Sequence, residues 1–124
     1  MKIAIAISRY LLGAIFFIFG MNGFYQFIPV PEIPGEAGVF IGILVSSGYI
    51  YPIKALEVLG GLALLAGRYV PLGLVLLGPV IVNIVLYHTF LDPANLLIPL
   101  IALVLEVFLI WVHRQNFKGV FKAT

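Results

Sequence analysis

The chain of 124 residues contains no cysteine, and charged residues make up only 10% of it. Without cysteine the chain has no disulfide, no thiolate zinc site, no iron–sulfur ligation and no thiol relay of its own. Any redox chemistry must therefore come from a bound cofactor or from a partner protein. The net charge of +2 is small and its basic residues are scattered, which argues against nucleic acid as a partner.

Motifs for hydrolytic, nucleotide and metal chemistry are also missing. No serine–histidine–acid constellation is visible, and no glycine-rich loop follows a predicted strand. The two histidines, His88 and His113, fall near opposite ends of the predicted helices, so they cannot hold a haem at one level within a single chain. We therefore predict no catalytic residue and no metal site.

Apolar residues are abundant. They make up 63% of the chain, and the mean hydropathy is +1.19, whereas apolar content in soluble domains is about 45–50%. A chain of this length can hold about four spans of roughly 20 residues and no separate soluble domain. The sequence predicts an all-α integral membrane protein, a single transmembrane four-helix bundle that has the lipid bilayer as a partner.

Four apolar segments are predicted to span the membrane, at about 3–24, 51–67, 70–90 and 94–112. The first segment is too long for the apolar core of a signal peptide and is not followed by an A-x-A cleavage site, so it is expected to stay as a helix.

The segment between the first two spans is predicted to form an extended loop and a short helix. Residues 26–35 contain three prolines, which disfavour a helix there. Residues 37–47 are apolar but too few to cross a bilayer, so an interfacial or re-entrant helix is expected in this first outer loop.

Asp92 and Pro93 are typical of an N-cap and a first helical residue, so they are predicted to open the last span. Pro79 and Pro99 fall inside the third and fourth spans, and we expect Pro79 to bend its helix.

The charges between the spans predict their orientation. Basic residues fall at one set of helix ends: Lys2, Arg68, Arg114, Lys118 and Lys122. Acidic residues fall at the opposite ends: Glu32, Glu36 and Asp92. The positive-inside rule then places both termini on the cytoplasmic side of the cell inner membrane, with the proline-containing loop outside.

Lys54 and Glu57 are two charges near the start of the otherwise apolar second span. Their spacing puts them on one helical face, which Gly60 and Gly61 continue as a close-packing surface. Lys54 can reach the headgroups by snorkelling. Glu57 lies one turn deeper, so it is expected to be ion-paired, protonated or functional.

Polar side chains collect at similar depth in the outer half of the predicted bundle and form a candidate ligand-binding site. They come from three helices: Asn22, Lys54, Glu57, Asn83, Tyr87 and His88. Asn83 and Tyr87 share a face, whereas His88 lies about 140° from Asn83 around the helix. A place at the membrane interface is therefore the alternative for His88.

Arg9 and Glu106 are further charges inside the predicted spans. Counted from Lys2 and Arg114, they lie about 10 Å and about 12 Å inside the same membrane face. Arg9 also shares a helical stripe with Gly13, which would let another helix come close. We predict a structural ion pair between Arg9 and Glu106 that clamps the first helix to the last.

Three segments of the chain resemble the DoxX family of small bacterial membrane proteins: RYLLGAIFFIFGMNGF at 9–24, FIPVP at 27–31, and residues 47–93. The most specific elements are the Phe19-Gly20 pair that ends the Arg9 span, the EVLGG motif from Glu57 followed by Gly67-Arg68, and His88. The resemblance implies a four-helix membrane fold. Some members of that family are linked to quinone-dependent sulfur oxidation or to membrane oxidoreductase assemblies.

These observations predict a small membrane subunit that binds an apolar molecule, a quinone or a lipid, and that docks a redox-enzyme partner. Two alternatives stay open. One is a small proton-coupled transporter that works as a homo-oligomer, and the other is a purely structural partner-binding protein. The sequence leaves open whether the chain has enzymatic activity of its own.

Overall fold

The computed structural model describes residues 1–29 and 31–123 and is all-helical over that part of the chain. Its five α-helices are α1 (Lys2–Tyr25), α2 (Gly35–Ser47), α3 (Ile50–Ala66), α4 (Val70–Leu91) and α5 (Leu97–Val112). Two 3₁₀ helices follow α4 and α5, at Pro93–Asn95 and Arg114–Phe121. Val30 and Thr124 lie outside the described residues. Val30 falls within the predicted loop, and Thr124 belongs to the C-terminus that is predicted to be cytoplasmic.

Two helices are long and apolar enough to cross a membrane: α1, with 24 residues, and α4, with 22. Helices α2 and α3 meet the same criterion as a pair, but the chain bends by 89° between them, and α5 with the 3₁₀ helix after it bends by 83°. The described chain therefore has two to four segments compatible with a membrane. The 89° bend sets α2 across the end of α3, the geometry of a broken span or a re-entrant loop.

The start of α5 differs from the prediction, because Asp92 does not cap this helix. Its carboxylate accepts hydrogen bonds from Asn95 Nδ2 at 3.1 and 3.0 Å, and Pro93–Asn95 form a 3₁₀ turn. Helix α5 begins at Leu97. Pro99 consequently lies in the first turn, where its missing N–H removes no intrahelical hydrogen bond.

Helices α1 and α3 pack antiparallel through glycines. A Cβ atom at Gly61 would lie 2.5 Å from the amide nitrogen of Phe17 and 2.8 Å from the carbonyl oxygen of Gly13. A Cβ atom at Gly20 would lie 2.9 Å from Val58 Cγ2. Only glycine permits backbones to come this close. The predicted close-packing face of α3 is therefore confirmed.

Helix α4 packs on a neighbouring face of α3, where Gly60 lies against Leu77 and Gly73, and α5 packs against α4 and α1. The core lies between these four helices. Its most deeply buried side chains are Leu12, Leu64, Leu74, Leu77, Ile81 and Leu109. We call the end of the bundle where α1 ends and α3 begins the proline-loop end, and the opposite end the Arg68 end.

Candidate functional site

An ion pair at the proline-loop end joins Lys54 Nζ to Glu57 Oε1 at 3.4 Å. The pair is enclosed by glycines of α1, because a Cβ atom at Gly20 would lie 3.0 Å from Glu57 Cβ and one at Gly23 would lie 2.5 Å from Lys54 Cγ. Glu57 is only 3% exposed, whereas the Lys54 side chain is 23% exposed. The ammonium group therefore remains within reach of a molecule at the surface.

Asn22 lies between Gly20 and Gly23, the two α1 glycines that pack on this pair, and is buried. Its Oδ1 accepts a hydrogen bond from the amide of Ile28 at 2.7 Å, and its carbonyl oxygen accepts one from the amide of Gln26 at 2.9 Å. Gln26 adopts a left-handed conformation with φ 50°, which turns the chain out of the helix. Asn22 thus fastens the proline-containing loop to the end of α1.

Two aromatic rings contact each other across α1 and α3, close in the chain to residues at the ion pair. The Phe24 and Tyr51 ring centroids are 5.8 Å apart. Phe24 follows Gly23 on α1, and Tyr51 is one turn before Lys54 on α3. The ion pair and these rings combine an apolar wall with a few polar groups, the composition expected of a ligand site.

The three α4 candidates are arranged differently. Asn83 is on the exposed surface, and its Nδ2 donates to the carbonyl oxygen of Pro79 at 2.8 Å. His88 Nδ1 lies 2.9 Å from the carbonyl oxygen of Ile84. Each of these side chains therefore bonds to a carbonyl of its own helix through one polar atom.

Tyr87 packs between α4 and α2. Its ring centroid lies 5.6 Å from that of Phe40 and 4.9 Å from that of His88, and its hydroxyl is buried with no hydrogen-bond partner among the described residues. The predicted site is thus divided. Asn22, Lys54 and Glu57 lie together on α1 and α3, while Tyr87 and His88 lie together on α4.

The predicted Arg9–Glu106 ion pair is wrong for this structure. Arg9 Nη1 donates to the carbonyl oxygen of Leu64, and the guanidinium lies against Gly67, where a Cβ atom would be 2.8 Å from Nη1. The last carbonyls of a helix lack intrahelical partners and carry partial negative charge. Arg9 therefore binds the C-terminal end of α3 instead of a carboxylate.

The register of the helices explains this difference. Arg9 is level with the end of α3, so the first turns of α1 extend about 10 Å beyond that end. Glu106 instead lies near Gly78, which follows Leu77, the residue that packs on Gly60. Because Gly60 is four to seven residues from the α3 end, the two charges differ in depth by about 6–10 Å.

Glu106 occupies a core position on α5. The buried residues of this helix are Pro99, Ala102, Glu106 and Leu109, a spacing that forms one face. Glu106 is 2% exposed, and both of its carboxyl oxygens are buried without a hydrogen-bond partner among the described residues. Burying such a carboxyl costs folding free energy unless the group is neutral or bound by a ligand.

The sequence predicted that the second span ends at residue 67, but two features of the Arg68 end were missed: the hydrogen bonding that closes α3, and the buried histidine after α5. Gly67, at φ 70°, closes α3 in a Schellman motif. Its amide donates to Leu64 O at 3.3 Å, and the Arg68 amide donates to Ala63 O at 3.3 Å. The Gly67-Arg68 pair after an apolar run was a signal for this helix end. The sequence did not show that the Arg9 side chain would cover this helix end.

The second missed residue is His113, which follows α5 and has a buried Nε2 atom with no partner among the described residues. Burial lowers the pKa of the His113 imidazole. Its spacing of seven residues from Glu106 puts both on one helical face, a signal that was present in the sequence.

Two surface grooves are present on the described part of the chain. One lies on α5 and is lined by Leu100, Ile101, Val104 and Leu105. The other lies between the proline-containing loop and α2, where Pro31, Ile33 and Val39 are among its lining residues. Neither groove is lined by a predicted site residue.

The fold and the site define an all-helical protein with apolar helices suited to a membrane and with charged side chains enclosed between them. The chain is 34% identical to the uncharacterized protein YwoB of Bacillus subtilis (strain 168) over an alignment 127 positions long, which covers 94% of this chain and 81% of YwoB. The chain belongs to the family of YwoB. No family model matches the chain, and no solved structure does.

Proposed function

We propose that this chain is a DoxX-like membrane protein with four spans, and that it binds an amphiphile, a quinone or a lipid, beside Lys54 and docks a redox-enzyme partner. The ligand has an apolar body and a head that offers oxygen acceptors. The quinone, the DoxX membership and the redox partner rest on the resemblance of 9–24, 27–31 and 47–93 to that family.

The observation that carries the binding site is the partly exposed ammonium of Lys54 at the end of an apolar bundle. An ammonium has three donors, and Lys54 directs one of them to Glu57 at 3.4 Å. The ammonium makes no other hydrogen bond within the described residues, so two donors remain for a quinone carbonyl or a lipid phosphate. Phe24 and Tyr51 offer rings to the apolar body. Glu57 holds the lysine in place.

Equilibrium binding to the detergent-purified protein tests this proposal. The probes are a short-chain ubiquinone analogue and a short-chain phosphatidylglycerol, titrated separately. Lys54→Met keeps the aliphatic stem against Gly23 but removes the donor, and Lys2→Met is the matched control at the Arg68 end. Loss of a charge-assisted hydrogen bond, worth about 1.5–3 kcal/mol, predicts binding weaker by about tenfold to a hundredfold in Lys54→Met only.

The outcomes separate the two ligands. Saturable quinone binding that depends on Lys54 supports a quinone subunit, and the same result with the phospholipid alone identifies a lipid site. Equal binding to wild type, Lys54→Met and Lys2→Met contradicts the site. The redox partner is sought by co-purification from native membranes in mild detergent, with quinone reduction by the recovered complex as the readout.

We also propose that both termini lie on the cytoplasmic side, because the basic residues named above fall at the Arg68 end and the acidic residues at the opposite end. The absence of cysteine makes single-cysteine labelling direct. Lys2→Cys and Lys122→Cys should resist an impermeant maleimide added to intact cells, whereas Glu32→Cys should react. The reverse pattern would overturn the orientation.

A small proton-coupled transporter is the second candidate function, and the unpartnered carboxyl of Glu106 is the observation that favours it. Membrane-embedded carboxyls often mark proton pathways. In proteoliposomes with a trapped pH dye, an imposed potential should drive proton uptake in wild type but not in Glu106→Gln. Equal uptake in both would remove this candidate.

A further inference from the structure

Glu106 is a carboxyl group at a position where the rest of α5 buries apolar side chains. Ala102 and Leu109, one turn away on either side, belong to the hydrophobic core, and Glu106 itself is 2% exposed. Neither carboxyl oxygen has a hydrogen-bond partner among the described residues. An ionised carboxylate in this environment would be uncompensated, at a cost of several kcal/mol.

The helices packed against α5 are α4 and α1. Their titratable side chains within the described residues are Lys2, Arg9, Tyr10 and Tyr25 on α1, and Tyr87 and His88 on α4. None of these lies within hydrogen-bonding distance of the Glu106 oxygens. Arg9 is directed to Leu64 O and His88 to Ile84 O, and His113, two turns along α5, is about 10 Å away along the axis.

The neighbour of the carboxyl on α4 is a glycine. A Cβ atom at Gly78 would find Glu106 Oε2 at 3.5 Å and no other atom of a neighbouring segment within 4 Å. That separation is ordinary van der Waals contact, so a methyl-sized space lies open beside the carboxyl.

We propose that Glu106 is a membrane-embedded proton-binding site, in which the carboxyl holds one proton in the folded protein and becomes a carboxylate when it releases that proton. The ligand is a proton, and no other group is consumed or formed. Glu57 differs, because the Lys54 ammonium at 3.4 Å compensates its negative charge. The site does not depend on quinone or lipid binding, so its test is separate.

Dicyclohexylcarbodiimide is an apolar reagent that reacts with protonated carboxyls in apolar surroundings. The purified full chain in detergent is treated with it at neutral pH and at alkaline pH, and the adducts are mapped by peptide mass spectrometry. We expect an adduct at Glu106 at least about tenfold more abundant than at Glu57, with a marked decrease at alkaline pH. An adduct mainly at Glu57, or equal labelling of both at neutral pH, overturns the proposal.

Unequal access of the reagent is excluded by two further measurements. Lys54→Met removes the cation beside Glu57 and should raise labelling there without changing labelling at Glu106. Infrared difference spectra then detect the protonated carboxyl directly. Its carbonyl band at neutral pH should disappear in Glu106→Gln and persist in Glu57→Gln. If the band persists in Glu106→Gln, the proposal is wrong whatever the labelling shows.

Discussion

Polar side chains at the α1–α3 interface have partners inside the protein, whereas those on the buried face of α5 do not. Arg9 donates to Leu64 O, Lys54 pairs with Glu57, and Asn22 accepts from Ile28. On α5, Glu106 lacks any partner among the described residues. Burial is similar for Glu57 and Glu106, at 3% and 2% exposed. Partnering, and not depth in the protein, distinguishes the two regions.

This difference indicates which polar groups serve the fold. A buried polar group with a partner contributes to one well-defined packing arrangement, whereas an orphaned one weakens the fold unless it is neutral or serves another purpose. The α1–α3 interface therefore serves mainly the fold, although Lys54 within it is partly exposed. The buried face of α5 carries the proposed proton-binding site.

The largest effect is expected from crowding the α1–α3 interface. Gly61→Ala places a methyl group 2.5 Å from the Phe17 amide nitrogen, so the two backbones must separate. We expect a loss of about 3 kcal/mol in the free energy of unfolding, as for other overpacked interiors. Gly42→Ala is the control, because no atom lies within 4 Å of its Cβ and alanine favours a helix by about 1 kcal/mol.

Unfolding in mixed micelles, followed by circular dichroism, measures both variants. A Gly61→Ala protein as stable as wild type would show that the interface is loose, and the contrast between the two regions would lose its basis.

The next effect separates Arg9 from Glu106. Arg9→Leu removes a charged hydrogen bond to the α3 end and should cost about 2 kcal/mol, whereas Glu106→Leu removes an orphaned carboxyl and should cost little or stabilise. The double variant should show the sum of the two effects within about 0.5 kcal/mol. Recovery of the Arg9→Leu loss in the double variant would show instead that the two residues pair.

Hydropathy and residue spacing predicted much of this fold, because they are local properties of the chain. The apolar runs located α1, α3 and α4 to within a residue or two of their observed ends. The spacing of Gly60 and Gly61 predicted the close-packing face of α3, and the spacing of Lys54 and Glu57 predicted their shared face. Each inference used residues within a few turns of one helix.

The relative registers of the helices could not be predicted in the same way. Depth counted from Lys2 made Arg9 and Glu106 appear level, but α1 extends beyond the end of α3, and the contacts that fix this offset are glycines on two different helices. The surroundings of Asn83 could not be predicted for a related reason. Periodicity showed that Asn83 and Tyr87 share a helical face, but not that Asn83 is exposed and that its Nδ2 donates to Pro79 O.

A smaller effect is expected for the ion pair at the proline-loop end. A double-mutant cycle with Lys54→Met and Glu57→Gln should give a coupling energy of about 1 kcal/mol, reduced because Lys54 is partly exposed to solvent. Lys2→Met with Glu57→Gln is the matched control and should give no coupling. A coupling energy near zero would show that Lys54 does not stabilise Glu57. Glu57 would then resemble Glu106 on α5, which has no partner among the described residues.

The smallest effect concerns His113, the second unpartnered group on the α5 face. Because burial lowers the pKa of His113 in the folded protein, the unfolded chain binds more protons than the folded chain below the ordinary histidine pKa of about 6.5. Its contribution to stability is therefore complete above that pH and decreases as the pH falls through the window below it. His113→Gln keeps a polar side chain that does not titrate. We expect the thermal midpoint of wild type to fall more between neutral and mildly acidic pH than that of His113→Gln, when both are measured in the same detergent.

Parallel pH profiles for the two proteins would show that His113 titrates alike in the folded and unfolded chains. The unpartnered character of the α5 face would then be limited to Glu106.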